Sequence, residues 1–423
     1  MVGANYSPEP TGNAPYTSAL SRALVARGVD VNVITTFPHY PEWRIRDDYE
    51  GWSQREAIDG VDVLRLRHYV PRRPTPVRRL LAELSFGVRS ASVRWPDADV
   101  VLLVSPSLFS AAVASVRLAA TRRRSVPGVV LWTQDLYSLG VTETGAATGR
   151  LAQAVRQVES WVVRRADGVV AIHDRFARHL RDVLGADAEA VRTVRNWTHL
   201  RPTSGLDTAG ARRELGWPDG ETVVLHAGNQ GAKQGLRNVV EAARVADARG
   251  AAVRFVLLGD GSQRRELEAA AEGIRSIQFV DPLPDDRFPA ALAAADVLLV
   301  NELAGLAEMS VPSKLTSYFD AGRPVLAATS EGSTTAHELD LSGAGVRVDA
   351  EDPEALLAGV LELAGDPERR RELGTAGLRY RRHVLSEEAA VDRFQDWLTH
   401  HAGSSVRVRR SHARRPATSG ATT

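Results

Sequence analysis

The sequence predicts an α/β chain of two doubly wound domains. Three observations carry this. Short β-branched runs alternate with longer Ala/Leu/Arg stretches of helical period, the pattern of parallel sheets covered by helices. The alternation comes in two series, one on either side of a Pro/Gly/Ser-rich stretch. The chain has 423 residues, and a domain takes about 100–200.

In the first series, strands are expected at Val31–Thr35, Val61–Leu66, Val100–Val104, Val129–Thr133, Gly168–Ile172 and Val191–Val194. A still earlier strand is expected at Met1–Ala4, and it looks clipped: either it is short or the start lies upstream. The first domain therefore occupies 1–199. The join is expected over 200–221, where Pro202, Thr203, Ser204, Gly205, Pro218, Asp219 and Gly220 cluster around a short helix, Ala209–Leu215. The second series is Val223–His226, Arg254–Leu258, Ile277–Val280, Val297–Val300, Val325–Ala328 and Gly345–Val348, giving a domain over 222–386. After Ala402 the chain is Arg, Ser, Ala and Thr with few large apolar residues, which predicts disorder over 401–423.

Composition excludes several classes. Lys+Arg is 53 and Asp+Glu 52, so no global charge excess marks a nucleic-acid binder. There are no cysteines, which removes disulfides, Cys-ligated zinc, iron–sulfur clusters and thiol nucleophiles. Together with the lack of a signal peptide, this predicts a cytoplasmic chain. The longest uncharged run, Val100–Val116, carries Ser105-Pro106-Ser107 in its middle and reads as strand, turn and helix. Only Lys233 and Lys314 are lysines, the other 51 basic residues being Arg. A codon bias toward Arg explains the ratio. Under such a bias, a retained Lys marks a place where a compact ammonium is needed.

Four segments carry candidate chemistry. Tyr6 to Tyr16 leads into a helix at Leu20, Ala23 and Leu24. There Gly12 lets a backbone approach a ligand and Asn13 is placed to cap the helix, beside an anion-binding N-terminus. The same pattern serves as a plain strand-to-helix turn, and the residues leave both open. Gly228-Asn229-Gln230-Gly231-Ala232-Lys233-Gln234-Gly235-Leu236 has the corresponding place in the second domain. Its glycines allow close approach, and Lys233 can neutralise a diphosphate oxygen. It is not a Walker loop, because Gly-Lys-Ser/Thr is missing. Gly259 and Gly261 form a Gly-x-Gly turn without the third dinucleotide-binding glycine, since position 264 is Arg; this turn is expected to border a site. The fourth segment runs from Glu308 to Tyr318. Pro312 precedes a helix that Ser313 would cap, Lys314, Leu315 and Ser317 follow, and Gly322 and Pro324 end it. Hydroxyl, amides and ammonium together suit a diphosphate, and Glu308 suits sugar hydroxyls.

No metal constellation stands out. Asp97-Ala98-Asp99 reads as a helix-to-strand loop, and no serine nucleophile elbow is present. His173 reads as a loop histidine before Asp174, an expected helix N-cap. The run Val77–Trp95 is amphipathic, with Val77, Leu80, Leu81, Leu84, Val88, Ala91 and Trp95 on one face and Arg72, Arg73, Arg78, Arg79, Arg89 and Arg94 around it. It fits a helix packed on its own sheet, or a surface meeting anionic lipid or a lipid-linked phosphate. Arg407–Arg415 is a weaker version of the same pattern.

Taken together, these motifs resemble the retaining nucleotide-sugar glycosyltransferases of the GT-B fold, family 4 (group 1), and among them the colanic-acid biosynthesis type. The likeness rests on Asn5-Tyr6-Ser7-Pro8-Glu9 with Thr11-Gly12, Phe37 to Trp43, Gln134-Asp135, Asn196-Trp197, Gly228 to Leu236, and Pro312-Ser313-Lys314-Leu315-Thr316. It runs from about Asn5 to Phe394. The resemblance implies two Rossmann-like domains facing a cleft, with the acceptor in the first and a nucleotide sugar, GDP- or UDP-linked, in the second. A last helix, Glu387–His400, would cross back onto the first domain. The acceptor implied is a polyprenyl-diphosphate-linked glycan of exopolysaccharide synthesis, at the inner face of the membrane. No nucleic acid, metal or other cofactor is expected.

The resemblance further gives Lys233, Glu308 and Asp135 as catalytic residues. Gly12, Asn13, Gly228, Asn229, Gly259, Gly261, Pro312, Ser313, Lys314, Leu315 and Ser317 would bind the donor. Two departures stand out. The paired glutamates of the family are replaced by Ser317 at the second position, with Glu308 one residue off the first. Gln134 stands where many relatives place a histidine. A natural-product acceptor, a GT-B epimerase or phosphorylase, and a non-catalytic nucleotide-sugar binder are the competing readings.

Overall fold

The computed structural model describes residues 1–10, 12–121, 127–144, 149–197, 206–305 and 313–413. The chain forms two units, Met1–Asn196 with Glu387–Thr423, and Trp197–Ser386.

The first unit runs α1 (Ala14–Ala26), β1 (Asn32–Thr36), β2 (Ser53–Ile58), β3 (Val61–Leu66), α2 (Pro76–Ser92), β4 (Val100–Ser105), α3 (Leu108–Thr121), β5 (Gly128–Thr133), α4 (Tyr137–Thr144), α5 (Arg150–Arg165), β6 (Gly168–Ala171), α6 (Asp174–Asp182) and β7 (Val191–Thr193). The strands form the sets β1-β3-β2 and β4-β5-β6-β7. The expected opening strand joins them as a single rung. Val2 bridges Ile34 on one side and Leu103 on the other, both parallel. Its amide donates to the Leu102 carbonyl at 2.8 Å, and its carbonyl accepts from Val104 at 2.9 Å. β4 and β5 are almost wholly buried apolar runs, as strands of a helix-covered parallel sheet must be.

β2 has no counterpart among the strands expected from the sequence. Ser53-Gln54-Arg55-Glu56-Ala57-Ile58 is polar, half exposed, and pairs antiparallel with β3 at the sheet edge. The signal was Asp59-Gly60, whose positive φ angles of 51° and 80° make a two-residue hairpin turn.

The second unit runs α7 (Thr208–Glu214), β8 (Thr222–Ala227), a 3₁₀ turn (Ala232–Gln234), α8 (Arg237–Arg249), β9 (Val253–Leu258), α9 (Arg264–Ala270), β10 (Ile277–Val280), α10 (Phe288–Ala294), β11 (Val297–Asn301), α11 (Ser313–Asp320), β12 (Val325–Ala328), α12 (Thr334–Ser342), β13 (Gly345–Val348), α13 (Pro353–Gly365) and α14 (Pro367–His383). All six strands are parallel, in the order β10-β9-β8-β11-β12-β13. That is the doubly wound order, which reverses direction between its first and fourth strands. Alternate residues feed two cores. Val224, Phe255, Leu257 and Leu299 pack on one face, and Leu225, Val256, Leu298 and Phe319 on the other.

Helix α15 (Glu387–Ala413) returns the chain to the first unit. Phe394 lies edge-on to Trp132 of β5, with ring centroids 4.6 Å apart. Gly168 makes this seat possible: a Cβ there would lie 2.2 Å from His401 Nε2 and 2.9 Å from Trp397 Nε1. The helix continues past His400, where it was expected to end. Arg and Ala are good helix formers, so a shortage of large apolar residues does not stop a helix. Residues 414–423 of the expected tail lie outside the described residues, as do 198–205 of the join.

Candidate functional site

The reversal point of the second sheet organises the first set of candidates. β8 and β11 pair only at Val224↔Val297 and Leu225↔Leu298, then part. The Tyr318 hydroxyl fills the opening. It accepts from the Ala227 amide at 2.8 Å and lies 3.3 Å from the Ala227 carbonyl and 3.4 Å from that of Leu299. Such a crevice outside the carboxyl ends of the strands is where doubly wound sheets take ligands.

The loop after β8 is fixed from two sides. Gly259 and Gly261 bring the β9 loop against it. A Cβ on Gly259 would lie 2.1 Å from the Gly228 carbonyl oxygen, and one on Gly261 would lie 2.5 Å from the Gln230 carbonyl carbon. Their first duty is thus backbone packing, whatever else they border. Gln230 is buried and donates from Nε2 to the Gly259 carbonyl at 3.0 Å. On the other side Asn301, at the end of β11, donates from Nδ2 to the carbonyls of Gln234 (2.8 Å) and Gly235 (3.0 Å). The Lys233 carbonyl accepts from the Leu303 amide at 3.2 Å. The backbone around Lys233 is therefore held while its side chain stays exposed, in no ion pair among the described residues.

Lys314, in the first turn of α11, reaches the same place. Its ammonium lies 3.4 Å from His226 Nε2, and its end is 3.9 Å from where a Gly228 Cβ would sit. His226 is fully buried. Burial, and then the Lys314 charge, hold its pKa well below the usual 6.5. The neutral ring can accept from Lys314. Unfolding lets this imidazole take up a proton in acid, so the unfolded chain binds more protons there. The stability it contributes is complete above pH 6.5 and is lost as the pH falls below that value. Replacing His226 with Gln should remove this dependence, about 1.4 kcal/mol per pH unit below roughly pH 6. Unfolding curves of wild type and variant at several pH values check it; equal slopes would contradict it.

Other expectations in this segment fare differently. Glu308 and Pro312 lie outside the described residues, and so does the side chain of Ser313, whose backbone begins α11. Leu315 must be corrected. Its side chain is fully buried in the core with Phe319 and Leu225, so it offers a ligand no surface. Ser317 is half-buried and Asn229 exposed. One acid escaped the sequence reading. Glu302, next after β11, is 3% exposed and accepts from the hydroxyls of Thr329 and Thr335. Its place directly after a buried strand was the available signal.

In the first unit, the Tyr6–Tyr16 loop and the loop after β1 are locked together. Glu9 is buried and accepts from the amides of His39 and Tyr40, both at 2.9 Å, and from Asn5 Nδ2 at 2.8 Å. Gly12 has a φ of +69°, with the Tyr40 ring 3.6 Å from its would-be Cβ. Asn13 does not cap α1. Its φ and ψ of −89° and −6° are already helical, and a side-chain cap needs an extended residue. Asn13 Nδ2 is instead buried with no hydrogen-bond partner among the described residues.

Asp135 is half-exposed, and its Oδ1 accepts from the Leu136 amide at 2.8 Å. Beside it Gln134 accepts from Asn196 Nδ2 at 2.8 Å. The expected cap at Asp174 is also corrected: His173 Nδ1 accepts from the Phe176 amide, while Asp174 accepts from Thr193 and Arg195. The imidazole reaches the third amide from an extended residue, the geometry Asn13 lacks. Among the described residues no cluster of His, Asp and Glu is placed to hold a metal ion.

The second unit thus brings the Lys314 ammonium, the Gly228 backbone and the start of α11 together at one crevice, with exposed Lys233 on the adjoining loop, an arrangement suited to a diphosphate.

Comparisons with known proteins give the family. Residues 11–197 match the family described as "Glycosyl transferase 4-like domain", and residues 221–366 match "Glycosyl transferases group 1". A protein of Escherichia coli (strain K12) described as the colanic acid biosynthesis glycosyl transferase WcaI is 32% identical over 412 residues, 93% of this chain and 98% of its own. The 2-deoxystreptamine glucosyltransferase of Streptomyces kanamyceticus is 31% identical over 68% of this chain and 75% of its own. Among solved structures, Anabaena HepE in complex with UDP superposes with a TM-score of 0.67 at 14% identity, covering 94% of this chain and 99% of that one.

Proposed function

The chain belongs to the family 4 (group 1) glycosyltransferases of GT-B fold and is WcaI-like, and from that premise we propose that it moves a sugar from a nucleoside-diphosphate donor to an acceptor hydroxyl with retention at the anomeric carbon. The observation that carries this reading is the convergence of Lys314 and Gly228 at the β8/β11 crevice, with Lys233 on the loop that Asn301 fixes.

The difficult step is departure of the diphosphate. Lys233, Lys314 and the amides at the start of α11 would stabilise its charge where it develops, without calling on a metal ion. Glu302 is tied up by two threonine hydroxyls and serves as scaffold. In the first unit, the Gly12–Asn13 turn leaves buried Asn13 Nδ2 as a donor that no group among the described residues satisfies. Asp135 would orient the acceptor hydroxyl. Its proton would pass to the leaving phosphate oxygen, so no strong protein base is required.

The acceptor we favour is a lipid-linked glycan, because the relative matched over nearly its whole length is named for colanic acid biosynthesis. A small hydroxylated acceptor is the second reading, favoured by the likeness to 2-deoxystreptamine glucosyltransferase. GDP- and UDP-sugars offered with each acceptor class, followed by NMR of the product, test both. Retained anomeric configuration with one acceptor is expected, and chelator should leave the rate unchanged. An inverted product, or sugar released only to water, would overturn the proposal.

A further inference from the structure

Helix α2 has two faces of different character. Inward, Ala82, Phe86, Gly87 and Ser90 are buried, and Gly87 lies close against Ser110 and Val113 of α3. Glu83 also turns inward. It accepts from the Phe109 amide and the Tyr137 hydroxyl, and burial raises its pKa.

Outward, Val77, Leu81 and Val88 are 67%, 50% and 60% exposed. At about 100° per residue these three fall within roughly 40° of one another on the helix. Two exposed aromatics adjoin this stripe. Trp52 is 72% exposed; the Arg89 guanidinium lies 5.5 Å from its ring centre and donates to its carbonyl at 2.8 Å. Tyr69 is 44% exposed, and its amide donates to Ser85 Oγ of α2 at 2.9 Å. Of the eleven large apolar side chains exposed among the described residues, three form this stripe and two, Trp52 and Tyr69, sit on segments hydrogen-bonded to α2 at Arg89 and Ser85. Single exposed apolar residues are ordinary, but a contiguous group marks an interaction surface.

The charge around the stripe has one sign. Between residues 67 and 96 there are seven arginines and one acid, and that acid is the inward Glu83. Arg72, Arg73 and Arg78 are exposed and make no ion pair among the described residues. Other surface arginines do, such as Arg249 with Glu354 at 2.5 Å and Arg55 with Asp62 at 3.2 Å.

We propose that this face docks the chain on an anionic bilayer. Helix α2 lies in the headgroup plane, with Val77, Leu81, Val88 and Trp52 entering the acyl boundary and the arginines on lipid phosphates. An apolar stripe beside guanidinium groups that make no ion pair among the described residues fits an interfacial helix. A nucleic-acid surface would need the arginines but not the valines and leucine. A partner protein would need acids to meet the arginines, and a second copy of this face would bring only more arginine. The inference is independent of the transfer reaction, although it suits a lipid-linked acceptor.

Flotation of the full chain with vesicles tests it. Binding is expected to vesicles containing phosphatidylglycerol and not to pure phosphatidylcholine, and it should weaken as salt is raised. Changing Arg72, Arg73 and Arg78 to Gln should lower the partition coefficient on the order of 100-fold. Leu81→Ser with Val88→Ser should abolish stable binding. Both variants should keep the wild-type melting temperature and nucleotide binding, since the altered side chains are exposed and lie outside the crevice. Three outcomes would overturn the inference: no binding to anionic vesicles by wild type, equal binding by the variants, or a concentration-dependent dimer in light scattering that Leu81→Ser disrupts. Each leaves the transfer proposal standing, because nucleotide binding is read separately.

Discussion

Lys233→Ala is expected to lower turnover roughly 100- to 1000-fold, the scale seen when one charge-stabilising donor is taken from a transition state. The melting temperature should stay where it is. The Lys233 side chain is exposed, and the contact that anchors its loop uses the backbone carbonyl, which alanine keeps. Steady-state rates with a nucleotide sugar, beside a thermal melt, separate loss of chemistry from loss of fold. Unchanged turnover would remove Lys233 from the mechanism. Lys314→Met is a less clean probe of the same chemistry. It takes away an ammonium and also leaves buried His226 Nε2 without that donor, so both rate and stability should fall.

Gly259→Ala should be the most damaging small substitution in the second unit. The φ of +129° is one that a side chain rarely tolerates, and the new Cβ would have to displace the Gly228 carbonyl from 2.1 Å. Backbone strain and overpacking together cost about 2–5 kcal/mol. The displaced carbonyl belongs to the proposed donor loop, so donor affinity should fall along with stability. Gly250→Ala provides the comparison. It has a φ of +62° at the end of α8 with open space around it, and should cost only about 1–2 kcal/mol. Chemical denaturation of the two variants checks the difference. Equal, small losses would mean that the β8 and β9 loops are not held by this contact.

The parallel strands were legible because burial on both faces leaves an unbroken apolar run. Val325–Ala328, buried throughout, shows this to the residue, whereas Ile277–Val280 and Gly345–Val348 lie half-buried at the two ends of the sheet and carry Gln278 and Arg347. The edge strand β2 was not, because an edge faces water and its residues read as polar; only Asp59-Gly60 announced the hairpin. Turn glycines showed where loops come close without saying what they approach. Gly259 and Gly261 approach backbone, not open space. Caps failed where side-chain type was read without backbone angle, as at Asn13, and succeeded at unexpected residues, as at His173. Leu315 shows the limit of motif reading, since a residue inside a binding motif can belong to the core beneath it. His226 carried no signal beyond its place at a strand end. Its pairing with Lys314, 88 residues away, is a product of the fold. The exposure of the α2 stripe is likewise a product of the fold.

The proposed transfer requires the second unit to hold the diphosphate of a nucleotide at the β8/β11 crevice through Lys233 and Lys314. Calorimetric titration of the full chain with UDP, GDP and the corresponding nucleosides, on wild type and Lys233→Ala, tests it most directly. One diphosphate is expected to bind far more tightly than its nucleoside, and Lys233→Ala to erase most of that margin while leaving the nucleoside's weak affinity unchanged. A diphosphate bound no better than its nucleoside, or a margin untouched in the variant, would contradict it.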